Sequence, residues 1–302
     1  MSAPILKWPG SKRARAAQLA GYFGTDRRPV YCEPFLGSGS VAVLHASYYG
    51  MAVLGDAAPR LIPTYRAVVR DPSGVGAALA GLPGSVQAAG QLATELRLVS
   101  AQRDTRAGQH TDPWKAYFYD HRDRVVNAWK PAPGEVASPA LAAHYVWHRQ
   151  GGFNGLIRTG PNGDNTTAGD RLHLPNPRDL EAFGYALRHA LLADTDFEAT
   201  TRAALTLGAV DLFLDPPYAG DYAGYTADGF KDEDRDRLAG LARDVVAQRG
   251  RVLVTEADHP EAWRWLTAAG QHVRPVVGKT SISRSGDQRG AKQELIARSW
   301  AW

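Results

Sequence analysis

A single cysteine, Cys32, and only two methionines stand in the 302 residues of this chain. One cysteine excludes an internal disulfide framework and any Cys-based zinc site. Its place inside the apolar segment Val30-Tyr31-Cys32 favours an inert, buried thiol over a nucleophile. No apolar run approaches the roughly 20 residues that a membrane-spanning helix needs, and the amino terminus moves straight into Lys7-Trp8-Pro9 without a leader pattern. His144 and His148 are four apart, but the Glu that a zinc-protease helix places after its first His is missing, so both are expected to be core or surface histidines. A three-glycine phosphate loop is absent as well, since the position three after Gly39 is Ala42, although an Ala ending is tolerated. Internal repeats and low-complexity tails are lacking. These absences lead to the expectation of a cytoplasmic protein with no membrane span and no metal.

What is present is a globular composition. Hydrophobic residues make up 44% of the chain, ample for a core. Lys and Arg number 35 against 31 Asp and Glu, a net charge of +4, which suits a polyanionic partner without demanding one. The basic residues fall in three groups: Lys7, Lys12, Arg13 and Arg15; Arg149, Arg158 and Arg171; Lys279, Arg284, Arg289 and Lys292. Converging in space they would form a phosphate-binding surface; taken separately, each is an ordinary solvated face.

The most informative stretch is Asp211-Leu-Phe-Leu-Asp215-Pro216-Pro217-Tyr218. A short apolar run reads as a buried strand, and the two prolines force it to end. Such a strand delivers Asp215 and Tyr218 to its carboxyl edge, an acceptor for an amino group beside a flat ring, although Asp-Pro-Pro-Tyr also reads as a plain strand exit with a turn. Upstream, Tyr31-Cys32-Glu33-Pro34-Phe35-Leu36-Gly37-Ser38-Gly39-Ser40 has the order strand, acid, glycine turn, helix. Val30 to Cys32 forms the strand, Gly37 and Gly39 allow a tight turn with close ligand approach, and a helix is expected from Ser40 to Tyr49. Asp56 closes the next strand, Ala52 to Asp56, 17 residues after Gly39, close to the roughly 20 at which a ribose-binding carboxylate is expected. The alternative is a cap on the helix that begins near Pro59.

Pro and Gly punctuation divides the chain into a cofactor half (1–70), an insert (71–180) and a catalytic half (181–302). The insert has helical patterns at Val86 to Gln102, Pro113 to Trp129 and Pro139 to Gln150. Phe153 to Arg158 is expected as a strand and Pro161-Asn162-Gly163 as its turn, giving a hairpin near 153–170. A two-stranded ribbon of this kind can enter a DNA major groove. The aromatic residues Trp114, Tyr117, Phe118, Tyr119, Trp129, Tyr145 and Trp147 include helical spacings that point to core packing.

Five segments together resemble the Dam-type DNA adenine methyltransferases: Leu6-Lys-Trp8-Pro-Gly-Ser-Lys12, Glu33-Pro-Phe35-x-Gly37-x-Gly39-Ser40 with Asp56, Phe153-Asn154-Gly155-Leu156-x-Arg158, Asp215-Pro-Pro-Tyr218, and Ser281-Ile-Ser-x-x-Gly286-x-x-Arg289 with the closing Glu294-Leu-Ile. The resemblance implies a Rossmann-like α/β methyltransferase sheet with helices on both faces and an inserted, mainly helical target-recognition region carrying a β-hairpin. It implies S-adenosylmethionine as cofactor, contacted by Trp8, Lys12, Asp56 and Asp215 and lined by Glu33, Phe35, Gly37 and Gly39. Double-stranded DNA would be the partner, read or held by Asn154, Arg158 and Asn162 of the hairpin and by Lys279, Arg284 and Arg289 near the end, with the protein a monomer or weak dimer. Catalysis would fall to Asp215, Pro216, Pro217 and Tyr218, acting on the exocyclic amino group of an adenine flipped out of the duplex.

Two departures from the family pattern stand out. Ala57-Ala58 follow Asp56 where relatives carry a polar Asn, and Asn165-Thr-Thr-Ala-Gly169-Asp170 lacks the family's Phe-Asn-x-Pro-Phe-Gly wording. The residues leave open an exocyclic-amino cytosine methyltransferase, an RNA or protein methyltransferase, and a DNA-binding relative without catalysis. A restriction-modification, phage or housekeeping role is equally open.

Overall fold

The computed structural model describes residues 4–98, 112–160, 163–219, 230–279 and 291–301. The strands in chain order are β1 (Val30–Glu33), β2 (Met51–Gly55), β3 (Thr159–Gly160), β4 (Gly163–Asp164), β5 (Ala190–Ala193), β6 (Val210–Leu214), β7 (Arg251–Ala257), β8 (His272–Lys279) and β9 (Ala291–Arg298). The helices are α1 (Ala16–Gly21), α2 (Ala42–His45), α3 (Leu61–Arg70), α4 (Pro72–Ala80), α5 (Val86–Glu95), α6 (Pro113–His121), α7 (Pro139–Gly151), α8 (Pro177–Leu187), α9 (Phe197–Leu205), α10 (Asp232–Ala247) and α11 (Pro260–Ala268). Two compact units result. One holds Met1–Arg13, Gly37–Val43 and Ala58–Arg188, and the other holds Ala14–Leu36, Leu44–Ala57 and His189–Trp302. This grouping by proximity cuts the chain elsewhere than the functional division 1–70, 71–180 and 181–302, which concerns binding roles.

The second unit carries a seven-stranded sheet in the order β5-β2-β1-β6-β7-β9-β8. Its first five strands run parallel, and β9 lies antiparallel to both of its neighbours, β7 and β8. This is the mostly parallel, helix-flanked sheet of a Rossmann-like α/β fold. Strands β1 and β6 are buried along their whole length, as parallel strands covered on both faces must be. On one face Val30, Cys32, Val53, Leu212 and Val252 pack against Phe197 and Ala204 of α9, Leu238 and Leu241 of α10 and Trp265 of α11. On the other, Tyr31 meets the rings of Phe23, His45 and Tyr49. Burial pushes the Cys32 thiol well above its usual range, so Cys32 is a core residue.

The chain leaves β1 for β2 and β5 on one side and returns to β6 on the other. That reversal puts the carboxyl ends of β1, β2 and β6 side by side, the place where open α/β sheets bind ligands. The opposite end of β6 is neutralised internally. Asp211 is fully buried and accepts two 2.8 Å bonds from Arg251, one from the Tyr49 hydroxyl at 2.9 Å and one from the Arg28 backbone N–H at 3.1 Å.

The first unit is helical, α3 to α8, with β3 and β4 as a two-pair antiparallel ladder. Ser85, Asp112, Ser138 and Asn176 cap α5, α6, α7 and α8 through side-chain oxygens, each satisfying an orphan amide of the first turn. Of the aromatic residues expected in the core, all but the half-buried Tyr117 are buried: Trp114, Phe118 and Trp147 are at most 4% exposed and their rings meet at 5.5–6.2 Å. Three helical expectations are shortened. Ser40–Tyr49 becomes α2 and a 3₁₀ turn at Ala46–Tyr48, and Pro113–Trp129 becomes α6 and a π turn at Arg122–Val126. The third, Val86–Gln102, is α5 as far as Glu95, and its last residues lie outside the described ones. Among the described residues no helix is long and apolar enough to cross a membrane.

Removing one partner of a buried, hydrogen-bonded ion pair strands the other charge. Asp211→Ala is therefore expected to destabilise the protein by about 3–5 kcal/mol, measured by urea unfolding; an unchanged midpoint would refute the structural role of the pair.

Candidate active site

In the sheet unit, three carboxylates stand at or just past neighbouring strand ends. Glu33, 2% exposed, ends β1 and accepts the Tyr31 hydroxyl at 2.8 Å; burial, reinforced by this carboxylate, pushes the Tyr31 phenol up. Asp56 follows β2, half-buried, its backbone N–H bonded to the Ala193 carbonyl at 3.1 Å. Asp215 follows β6, half-buried, and its Oδ1 accepts the Thr255 hydroxyl at 2.7 Å. Phe35, just past Glu33, stacks on Phe197 at 5.4 Å and meets Phe230 edge-on at 5.9 Å, an apolar wall beside acidic groups. The alternative role for Asp56, capping α3, is not taken: the N-cap of α3 is Arg60, with no side-chain cap.

The loop that carries Pro216, Pro217 and Tyr218 is held from behind. Glu256 of β7 is fully buried, and its Oε2 accepts the Ala219 N–H at 3.1 Å and the Ala257 N–H at 2.7 Å. Arg235 of α10 donates to the Pro217 carbonyl at 3.3 Å. Burial pushes the Glu256 carboxyl up to about 7, opposed by the two amides and by Arg235.

In the helical unit, the amino-terminal segment and the glycine turn are packed together. Gly37 has φ +48°, and a Cβ built there falls 2.7 Å from Trp8 Cδ1, so both backbone conformation and space require glycine. Gly39 also has positive φ, +69°. The Gly37 carbonyl accepts the Tyr65 hydroxyl at 2.7 Å, and Ser11, Ser38 and Ser40 share hydroxyl bonds of 2.5–2.9 Å. Lys12 is 8% exposed, its ammonium bonded to the Gly10 carbonyl at 2.8 Å. Lys7 donates to the Gln150 carbonyl at 2.6 Å, while Gln150 donates to the Ile5 carbonyl at 2.8 Å, which ties the segment to the end of α7. Burial, with Arg149 and Arg171 nearby, lowers the Lys7 pKa.

The segment predicted as a strand from Phe153 to Arg158 is instead a 3₁₀ turn, Phe153–Gly155. Asn154 and Gly155 have φ of +50° and +70°, which a strand does not accommodate. The hairpin shrinks to Thr159–Gly160 paired with Gly163–Asp164. Asn154 is exposed and Arg158 half-buried. Behind them Arg149, fully buried, donates to the Gly155 carbonyl at 2.8 Å and to Thr166 Oγ1 at 3.3 Å and sits 3.8 Å from Asp164. Asp164 also pairs with the buried His148 at 3.0 Å, and these partners hold its carboxyl below the usual carboxylate range against the opposing effect of burial.

The model of the D12 class N6 adenine-specific DNA methyltransferases matches residues 8–277. The chain belongs to this family. It is 25% identical to a retron Ec67 DNA adenine methylase of Escherichia coli over 98% of this chain and 91% of the relative, and 26% identical to a DNA adenine methylase of Salmonella typhi over 97% and 94%. A DNA N-6-adenine-methyltransferase of Escherichia phage P1 is 25% identical over 97% of this chain, which spans 35% of that protein.

For a D12 methyltransferase the placements sort as follows. The sheet unit brings Glu33, Phe35, Asp56 and Asp215 to one sheet edge, and the helical unit brings Trp8, Gly37 and the Phe153–Gly155 turn around the amino-terminal segment. Two cationic candidates change role: Arg149 is spent inside the protein, and Arg15 is paired with Glu294 at 2.6 Å. Asn162, Arg284 and Arg289 lie outside the described residues, as does the side chain of Lys279. Thr255, Glu256 and Arg235 were missed. The signal for Thr255 and Glu256 is a polar Thr-Glu pair directly after the apolar run Val252-Leu-Val254, where a covered parallel strand should stay apolar.

Gly37→Ala is expected to cost about 1–3 kcal/mol for backbone strain and to shift tryptophan emission as the Trp8 ring gives way, measured by urea unfolding followed by fluorescence. For Glu256 the sign is set by its raised pKa. Between about 4.5 and 7 the folded state holds a proton that the unfolded chain releases, so this residue's contribution to stability falls as pH rises through that window. Glu256→Gln should flatten the slope in a pH series of thermal unfolding.

Proposed function

We propose that this D12 methyltransferase transfers the methyl group of S-adenosylmethionine to the exocyclic amino nitrogen of an adenine flipped out of duplex DNA. The observation that carries the reading is Asp215 at the carboxyl end of β6, beside the chain reversal of the sheet, its carboxylate oriented by Thr255.

The residues suit the cofactor's chemistry. Asp56 lies where a carboxylate accepts ribose hydroxyls, and Phe35 adds an apolar wall. Trp8 and Lys12 are the further contacts implied by the family segment. When bound, the sulfonium supplies an electrophilic methyl and a neutral leaving group.

The protein's own part is orientation. The amino nitrogen of adenine is a poor nucleophile because its lone pair is delocalised into the ring. The Asp215 carboxylate and the Pro216 carbonyl accept its two hydrogens and turn the lone pair out of conjugation. Pro216 and Pro217 fix the backbone at that point. Tyr218 stacks on the flipped ring, a contact worth about 1–3 kcal/mol in other nucleic-acid systems. The target proton passes to Asp215 or to solvent as the bond to carbon forms, and positioning does most of the work. Asn154, on the exposed turn, and Arg158 are the described candidates for reading or holding DNA.

Incubation with labelled S-adenosylmethionine and unmethylated duplex DNA, followed by digestion to nucleosides, should yield N6-methyladenine; methylated cytosine, or no label in DNA, would refute the reading. Asp215→Ala should reduce transfer at least about 100-fold and leave duplex binding unchanged. Arg158→Ala discriminates its two roles: loss of about 1–3 kcal/mol of sequence preference if it reads a base, a uniform loss with a shallower salt dependence if it holds a phosphate.

A further inference from the structure

The strand beside the catalytic loop supports it at two points. β7 pairs with β6 in parallel, Val254 opposite Leu214, so Thr255 and Glu256 run alongside Asp215 and Pro216. Successive strand residues point to opposite faces, and this pair therefore reaches different parts of one loop. Thr255 Oγ1 donates to Asp215 Oδ1 at 2.7 Å. Glu256, on the other face, holds the N–H of Ala219 at 3.1 Å, while its Oε1 receives the Trp265 indole N–H at 3.4 Å and lies 3.9 Å from Arg235 Nε. Arg235 in turn donates to the Pro217 carbonyl at 3.3 Å. The peptide groups on both sides of Tyr218 are thus anchored to one buried acid–base pair.

We propose that Thr255 and Glu256 are positioning residues for methyl transfer, Thr255 setting the rotation of the Asp215 carboxylate and Glu256 with Arg235 setting the backbone that presents Tyr218. The proposal rests on the roles given above to Asp215 and Tyr218. Its physical basis is twofold. The terminal torsion of an aspartate is broad, so the direction of its oxygens depends on a second partner, and catalysis that works by orientation is sensitive to displacements of about 1 Å. A carboxylate in the core is also a costly way to fill space, since an apolar side chain of similar volume packs at least as stably. What Glu256 adds is one directed acceptor contact to the loop, at the Ala219 N–H, and a countercharge 3.9 Å from Arg235, which holds the Pro217 carbonyl.

The test measures steady-state methyl transfer with labelled S-adenosylmethionine, on DNA carrying the site mapped by sequencing the methylated product, for Thr255→Val, Thr255→Ser, Glu256→Gln and Arg235→Lys. Thr255→Val should lower kcat about tenfold, the loss expected of one hydrogen bond, with KM for DNA and cofactor affinity unchanged, and Thr255→Ser should restore it. Glu256→Gln and Arg235→Lys should lower kcat and change the fluorescence of 2-aminopurine placed at the target base, a report on stacking that a general loss of stability would not alter in the folded fraction. If Glu256→Gln fails to fold, Arg235→Lys carries the same readouts. Wild-type kcat in Thr255→Val overturns the first half of the proposal, and wild-type kcat and 2-aminopurine signal in Glu256→Gln or Arg235→Lys overturn the second. Failure of the underlying reading looks different: the wild-type protein itself would leave adenine unmodified. Transfer to another amine would move the same comparison to that acceptor, and no transfer to any acceptor would remove the proposal with the reading.

Discussion

The reversal of chain direction beside β1 is the constraint on which the rest depends. A parallel sheet wound first one way and then the other leaves a gap between helix layers at the carboxyl ends of its central strands. Glu33, Asp56 and Asp215 end or follow strands that are neighbours only because of that order. They come from positions spread over much of the chain; Glu33 is the last residue of its ladder, while Asp56 and Asp215 sit where the backbone has just left theirs.

The two ends of β6 show how differently one residue type is used. Period-two alternation puts Asp211 and Asp215 on the same face of the sheet. Asp211, buried at the start, is saturated by Arg251, Tyr49 and the Arg28 amide and acts as a structural anchor. Asp215 emerges at the other end, half-buried, with the Thr255 hydroxyl directing it. Burial separates the two aspartates: Asp211 is fully buried and Asp215 half-buried.

The helical unit follows the same logic with cations. Arg149 is buried so completely that it serves the backbone of the Phe153–Gly155 turn and Asp164 rather than any external phosphate. Lys7 and Gln150 exchange bonds with backbone carbonyls across the end of α7. The amino-terminal segment and the turn bearing Asn154 are therefore built as one packed element, with a Cβ on Gly155 only 3.1 Å from Lys7 Cβ.

What the sequence by itself determined is what depends on neighbours in the chain. The ending of β6 was legible because prolines cannot continue a strand, the glycine turn because of its spacing after an apolar run, and the aromatic helices because of their periodicity. The family was legible because five motifs stand in order. The turn at Phe153–Gly155 was misread as a strand because Asn154 and Gly155 also suit extended backbone until packing selects positive φ. Only the tertiary structure decided that Arg149 is internal and that Thr255 and Glu256 brace the segment from Asp215 to Ala219. Thr255 and Asp215 are 40 residues apart, and no local pattern reports a hydrogen bond that exists only because β7 lies against β6. Strand order and burial are properties of the assembled sheet, and they decided which of the many polar residues became a site.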